Sequence, residues 1–380
     1  MVSKPTQDKP SGSTVNPNAP PTPTADKCRL PTTGEQVVSG KHTYALQTQL
    51  GDGGYGVVFQ TRDNKYRRCA IKVEKLSKSM LSIELDVLRS ALAAKAKHFL
   101  EPIDHGVNRP HYAFIVMPLL NKDLHKLRNE QHNRKYTKST AIRIGMQTME
   151  CIRELHGLGY VSRDIKPSNF APGLKDQNRQ HKTIFIFDFG LARKHKDKNG
   201  NLLPARKDVG WRGTSRYGSL EAHRRKDLGR RDDIESWFYM LIEVYKGALP
   251  WRLVVDRQNV FVAKMAARDS GRATLLGECP KCFDGFLTKV DSLVFETDPP
   301  YDYFLGELKA LCKELNISKN DHWDWDDEQS CSTSEINSTT DYSDRDPNNN
   351  QKKDDEKDQG SERDVQMTQE MDGSKLDPLP

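Results

Sequence analysis

From Tyr44 onward the chain carries short apolar runs rich in β-branched and aromatic residues. Tyr44–Leu50, Val57–Thr61 and Arg68–Val73 are such runs, with glycine and polar residues between them. Runs of this length and composition predict strands. The spacing then changes. In Leu81–Ala93 (LSIELDVLRSALA) the apolar residues recur at helical intervals, which predicts a helix. Tyr112–Met117 is another predicted strand. Beyond Leu120 the helical period dominates, with helices expected at Thr140–Leu155, Asp232–Lys246, Cys282–Phe295 and Tyr303–Leu315, and an apolar strand at Ile184–Phe187. A strand-rich front followed by a helical back predicts an α+β chain of two lobes with a cleft between them.

The two ends lack either period. Residues 1–39 hold seven prolines and few large apolar side chains. Such a segment buries too little surface to offset its ordering entropy, so it is expected to be disordered. Residues 326–380 are polar, low in complexity and acidic, and disorder is expected there too. The folded body is therefore expected at 40–325.

Charge is divided along the same boundary. The 380 residues carry a net +6, made of −10 in residues 326–380 and +16 in the remainder. A basic body suits nucleic acid, a membrane surface or an acidic protein. No nucleic-acid-binding motif and no interleaving of basic with aromatic residues is present, so nucleic acid is not expected. No apolar run reaches ~18 residues, so no transmembrane helix is expected. The lysine-bearing N-terminus has no apolar stretch to make a secretory signal. An acidic or phosphorylated protein is the expected partner, and a monomer the expected state. The seven cysteines are scattered and odd in number. They fit a reducing compartment, the cytoplasm by default with the nucleus open. Cys279 and Cys282 form a lone C-x-x-C without the second ligand pair that zinc needs, and read as a loop entering a helix.

Five motifs carry chemistry. Leu50-Gly51-Asp52-Gly53-Gly54-Tyr55-Gly56-Val57-Val58 fits G-x-G-x-x-G-x-V. A dinucleotide fold would need a helix next, but VVFQTR reads as a strand, so a glycine-rich hairpin over ATP phosphates is expected. Leu50, Gly51, Gly53, Gly56 and Val58 are its candidate ATP contacts. Cys69-Ala70-Ile71-Lys72 ends an apolar strand on a lysine suited to the α- and β-phosphates. Glu84 follows on the predicted helix, flanked by Leu81, Leu85 and Leu88, and is preferred over Asp86 as the carboxylate that holds Lys72. Arg163-Asp164-Ile165-Lys166-Pro167-Ser168-Asn169 fits R-D-x-K-x-x-N. There Asp164 would accept a hydroxyl proton, Lys166 would neutralise a moving phosphoryl group and Asn169 would bind a metal. Asp188-Phe189-Gly190 follows the apolar strand, and Asp188 with Asn169 offers hard oxygen ligands suited to Mg2+. Any one motif arises by chance; all five stand here in the required order.

Together they resemble a eukaryotic protein kinase over about residues 43–320. RDIKPSNFA (Arg163–Ala171), DFGLAR (Asp188–Arg193), RGTSRYGSLEAH (Arg212–His223), GRRDDIESWFYML (Gly229–Leu241) and LPWR (Leu249–Arg252) are similar to the casein kinase 1 superfamily, and within it to the tau-tubulin kinases. Asp-Trp-Asp at Asp324–Asp326 resembles the end of the tau-tubulin kinase domain. Ser219-Leu220-Glu221 stands where most kinases have Ala-Pro-Glu, and resembles the Ser-Ile-Asn of casein kinase 1. The resemblance implies a five-stranded front lobe at 40–117 with one major helix, a hinge at Pro118–Asn121 and a helical lobe at 122–325. It implies Met117 as gatekeeper, Leu119 in the adenine-reading hinge and Asp233 as the brace of the catalytic loop. Lys166, two residues after Asp164, is the serine/threonine-kinase pattern. The expected function is transfer of the γ-phosphoryl of MgATP to Ser/Thr of proteins. A scaffold without turnover is the rival reading. It rests on Ser162, where the family has a histidine packed against the DFG phenylalanine, so a cavity or a water is expected there. A nucleotide-dependent metabolic enzyme would have no use for R-D-x-K-x-x-N.

Between Gly190 and Ser219 the only hydroxyl residues are Thr214, Ser215 and Tyr217, so activity without an upstream kinase is expected. Arg206, Lys207, Arg212, Arg216, Arg224, Arg225 and Lys226 crowd the same region. They read as an anion-favouring face, and in the resembled family the arginine matching Arg216 lines an anion site. The acidic tail is expected to compete for that face, and its Ser330, Ser332, Thr333 and Ser334 to be autophosphorylation sites.

Overall fold

Alternation in the front segments sorts side chains onto two faces of a sheet, and that sorting sets the cleft. The computed structural model describes residues 29–40, 42–53, 56–176, 180–207 and 209–326. The expectations for residues 1–28 and for the tail beyond Asp326 lie outside the described residues. The front lobe consists of β1 (Gln36–Val38), β2 (Thr43–Ala45), β3 (Gln49–Asp52), β4 (Gly56–Arg62), β5 (Arg68–Lys75), α1 (Leu81–Ala93), β6 (Asp104–Asn108) and β7 (Tyr112–Pro118). An antiparallel five-stranded sheet has the order β3-β4-β5-β7-β6, and β1 and β2 form a separate hairpin.

One sheet face presents Val57, Phe59, Ile71, Val73, Phe114 and Val116 to Val37, Tyr44 and Leu46 of the hairpin region. The register pairs Val58 with Lys72 and Lys72 with Ile115, and Ala70 with Met117. Since side chains alternate along a strand, Val58, Ala70, Lys72 and Met117 take the other face, toward α1 and the cleft.

Three expectations need correction here. Gln36–Val38 is a strand although it lies within the segment expected to be disordered. Val37 is fully buried and pairs with Tyr44; the prolines preceding it masked this short apolar pair. Tyr44–Leu50 is not one strand. Leu46 N–H still bonds Glu35, whereas Gln47 N–H bonds Gln60, so the chain changes partner between them and enters a different sheet. The strand β6 (DHGVN) was not predicted. It is an edge strand, and edge strands need little apolar character.

The back lobe contains α2 (Leu124–Glu130), α3 (Lys138–Gly157), β8 (Tyr160–Val161), β9 (Phe170–Pro172), β10 (Ile184–Ile186), β11 (Arg193–Lys194), α4 (Leu220–His223), α5 (Arg230–Lys246), α6 (Arg257–Ala266), α7 (Arg272–Leu276), α8 (Cys282–Asp291) and α9 (Tyr301–Glu314). Thr137 caps α3 by accepting from Thr140 N–H, and Gly247 ends α5 at φ +91°. Fifteen of the seventeen residues of α5 are buried, so it is the axis of this lobe rather than an amphipathic surface helix. Expected helix ends shift by a few residues. Cys282 opens α8, and the helix stops at Asp291 rather than at Phe295. The short helices α2, α4, α6 and α7 had not been predicted.

Two small ladders set the cleft floor. β8 pairs with β11, and β9 with β10. Residues 162–169 therefore leave one ladder and enter the other, as do residues 187–192. Phe187 N–H bonds Asn169 C=O at 3.0 Å, which sets Asp188 beside the end of the other loop.

Candidate active site

The thirteen residues nominated from sequence line one cleft of about 840 Å3 between the lobes. Leu50, Gly51, Gly53, Gly56 and Val58 form its roof, Met117 and Leu119 its back, and Asp164, Lys166, Asn169 and Asp188 its floor, with Lys72 and Glu84 at the inner wall. The roof glycines differ in what they permit. A side chain on Gly56 would lie 2.0 Å from Val73 C=O, so the close approach of β4 to β5 requires glycine there. Gly51 faces open space, and a Cβ on Gly53 would make only an ordinary contact with Gly56 C=O at 3.9 Å.

At the inner wall Lys72 Nζ donates to Glu84 Oε2 at 2.6 Å and to Asp188 Oδ1 at 3.0 Å, and lies 3.5 Å from Glu74 Oε1. Glu84 is buried while Asp86 on the same helix is exposed, as its apolar flanks had implied. Burial works against the Lys72 charge, but Asp188, Glu84 and Glu74 outweigh it and hold the ammonium well above its ordinary pKa. Glu74 was missed from sequence. Its signal was the period of two, since it shares a strand face with Lys72. It also accepts from Met80 N–H at 2.8 Å, tying the start of α1 to β5.

On the floor, Asp164 accepts from Thr214 Oγ1 at 2.8 Å and pairs with Lys166 Nζ at 2.8 Å. Lys166 also donates to Thr214 Oγ1 at 3.2 Å. Asn169 Nδ2 donates to Asp164 C=O at 2.8 Å. Its amide nitrogen being so committed, the amide oxygen is the atom Asn169 offers to a cation. Asp188 stands at φ +63°, its side chain 42% exposed to the cleft. Lys72 has three carboxylates around one ammonium, a surplus of negative charge that a divalent cation would relieve. Hard oxygen donors from Asp188 and Asn169 fit such an ion completed by phosphate oxygens.

The loop carrying Asp164 is held from below. Asp233, buried on α5, accepts from Ser162 N–H at 2.7 Å and Arg163 N–H at 2.8 Å, and bonds His156 Nε2 at 2.9 Å. Arg163 sits at φ +65°, a conformation costly for a large side chain, and its Nε donates to Leu191 C=O at 2.8 Å. Gly213 brings the segment between β11 and α4 onto this loop. A Cβ there would meet Arg163 C=O at 2.6 Å, and its φ is +92°. Ser162 is buried and its Oγ lies 3.4 Å from Asp164 N. Phe189 remains fully packed, stacked on Phe99 at 5.6 Å.

The basic crowd is not one uniform face. Arg206 pairs with Asp227, Arg216 with Glu243, and Arg224 and Lys226 with Glu221. Lys207, Arg212 and Arg225 are exposed. Glu243 also pairs with buried Arg128 at 3.1 Å and bonds Tyr217 Oη, a cluster that charge counting along the chain did not reveal.

Comparison with known proteins places this geometry in context. The profile described as protein kinase domain matches residues 44–275. A probable serine/threonine-protein kinase of Dictyostelium discoideum is 34% identical over 290 residues, 75% of this chain and 57% of that protein. The chain thus spans little more than half of that relative. Serine/threonine-protein kinase spe-6 of Caenorhabditis elegans is 31% identical over 295 residues, 76% of each chain. A putative casein kinase I of the same worm is 29% identical over 292 residues, 75% of this chain and 83% of the relative.

Proposed function

The chain belongs to the protein kinase family, and on that premise we propose that it is a serine/threonine kinase acting on acidic or already phosphorylated proteins. It transfers the γ-phosphoryl group of ATP, taken with Mg2+, to their hydroxyls. The observation that carries this reading is the cluster at Asp164, whose two carboxylate oxygens are engaged separately by Thr214 and Lys166. In this role Asp164 accepts the proton of the incoming hydroxyl. Lys166 lies 2.8 Å away, positioned to neutralise charge on the transferred group. Lys72, kept protonated by its three carboxylates, holds the α- and β-phosphates. Asp188 and Asn169 would hold the cation, which would supply charge neutralisation at the phosphates. Met117 and Leu119 wall the adenine side. Catalysis on this scheme is positioning and electrostatic stabilisation rather than covalent chemistry.

Within the family, the motifs from Arg163 to Arg252 support the casein kinase 1 superfamily and its tau-tubulin kinase branch, and the worm relative named a putative casein kinase I agrees. The +16 charge outside residues 326–380 and the exposed Lys207, Arg212 and Arg225 support acidic substrates. Thr214, bonded to both Asp164 and Lys166, supports activity without an upstream kinase. The test is transfer of ³²P from MgATP to casein and to acidic peptides with and without a priming phosphate, wild type beside Asp164→Asn. Transfer by wild type alone is expected, faster for the primed peptide. No transfer by wild type, with ATP still bound, would replace this reading with that of a scaffold.

A further inference from the structure

Asp227 lies in the turn between α4 and α5, apart from every motif named above, and is 4% exposed. A buried carboxylate needs partners to be tolerated, and this one has gathered cations from separate segments. Arg193, on β11 five residues past Asp188, donates to Oδ2 at 2.5 Å. Arg206, in the segment between β11 and α4 that is the activation segment on the kinase reading, donates through its backbone N–H at 2.9 Å to Oδ2 and through Nη2 at 3.1 Å to Oδ1. A cavity of about 10 Å3 beside Asp227 is also lined by Arg163, Arg212 and Lys226. Without Asp227 this would be a pocket of like charges. Burial and then Arg206, Arg212 and Arg193 already push the Arg163 guanidinium down to about 10, and Asp227 opposes them.

Activation loops are commonly ordered when a new phosphate pairs with arginines. Here the arginines have a partner, and the segment offers little to phosphorylate. Thr214 is bonded to Asp164, while Ser215 and Tyr217 are buried. The cavity left over is about one water in size, too small for a phosphate. We propose that Asp227 is a built-in substitute for an activation-segment phosphate. It is a positioning residue that ties Arg193 and Arg206 to the wall of the pocket shared with Arg163, holding the segment in its working form without modification. This deepens the kinase reading and rests on it.

The full chain is assayed as wild type, Asp227→Asn, Asp227→Ala and Asp164→Asn, with inorganic phosphate or chloride added at matched ionic strength. Amide exchange over residues 191–218 is followed in parallel. Asp227→Asn is expected to lower kcat about 10- to 100-fold with KM for ATP unchanged, and to speed exchange in the segment. In Asp227→Ala, which opens room for the anion, phosphate restores part of kcat and of the exchange protection. Chloride does not, and phosphate does nothing for Asp164→Asn. Phosphatase treatment leaves wild-type activity intact. Should the Asp227 variants be too unstable to assay, phosphate should still raise the Tm of Asp227→Ala more than chloride does.

The proposal is overturned if Asp227→Asn keeps wild-type kcat and exchange, if phosphate and chloride act alike on Asp227→Ala, or if phosphatase abolishes wild-type activity. A wild type inactive on every substrate would sink the kinase reading alone. The exchange data would still decide the role of Asp227.

Discussion

Two lysines, one at the wall of the cleft and one deep in the back lobe, stand in contrast. Lys72, on the front-lobe sheet, is 15% exposed and is surrounded by Glu84, Asp188 and Glu74. Lys264, on α6 of the back lobe, is fully buried with no carboxylate in hydrogen-bond contact among those described. Its Nζ donates to Ser215 C=O at 2.7 Å and Gly218 C=O at 2.5 Å, and bonds His223 Nε2 at 3.2 Å. The rings of Tyr239 and Trp251 complete its surroundings at 4.9 and 5.6 Å. Burial pushes its pKa well below the ordinary value, where the carboxylates at Lys72 push the other way. The difference teaches what each cation is for. Lys72 keeps its charge beside an open cleft, where on the proposed kinase reading phosphates would meet it. Lys264 turns its Nζ onto the carbonyls of Ser215 and Gly218 and fastens that stretch of backbone, just beyond Thr214.

The comparison is most strongly tested by Lys72→Met. It should cut kcat by about 10²–10³-fold, as loss of a phosphate-directed cation in a preorganised site does, in a protein whose melting still shows one cooperative transition. A variant with near wild-type turnover would remove the electrostatic role assigned to Lys72. Lys264→Met should instead act on the substrate side. It orphans the buried Ser215 carbonyl, at about 1–3 kcal/mol, and the half-buried Gly218 carbonyl, so Tm falls and KM for the peptide rises while KM for ATP stays put. Equal rises in both constants would mean that Lys264 supports the whole cleft and not the segment above it.

Acid separates the regions further. Burial, then Lys264 and Arg257, lowers the His223 pKa from 6.5 to about 3, and burial lowers that of His195 to about 4. Both rings are neutral in the fold. For a base whose pKa is depressed on folding, the unfolded chain takes up the proton first. Stability is therefore full above pH 6.5 and is lost as pH falls from 6.5 toward 4. Urea unfolding at pH 7.5, 6 and 5 should show that decline, and His223→Gln should flatten it; a pH-independent midpoint would contradict the assignment. The smallest effect is expected from Ser162→His. Phe189 is already packed on Phe99, so the added ring overfills the site at about 1–3 kcal/mol. The expectation is a lower Tm with little gain in kcat. A several-fold gain would show that Ser162 limits the enzyme.

The candidate residues of the cleft were legible because they stand in local patterns. Lys72 ends an alternating strand, Glu84 sits on the apolar side of a helix, and Asp164, Lys166 and Asn169 lie within six residues of one another. Periodicity also placed α1 at Leu81–Ala93 without error. Where it failed, the cause was local weakness of signal. The edge strand β6 has almost no apolar residues. Gln36–Val38 is a short apolar pair behind a run of prolines. The change of partner between Leu46 and Gln47 leaves no mark on composition.

The sequence alone determined the two-lobed class, the cleft and the candidate residues that line it, because those depend on the period of apolar residues and on motifs read along the chain. The tertiary structure decided which charges are committed and which are exposed. Arg216 and Arg206 look alike in sequence to Lys207 and Arg212, yet the first two end on buried carboxylates. Asp227 meets Arg193 from 34 residues away, and Lys264 meets Ser215 from 49. Burial makes each of those pairings obligatory, since a charge taken out of water must find a partner. Which partner it finds depends on helices and loops distant in sequence, and no local pattern records it.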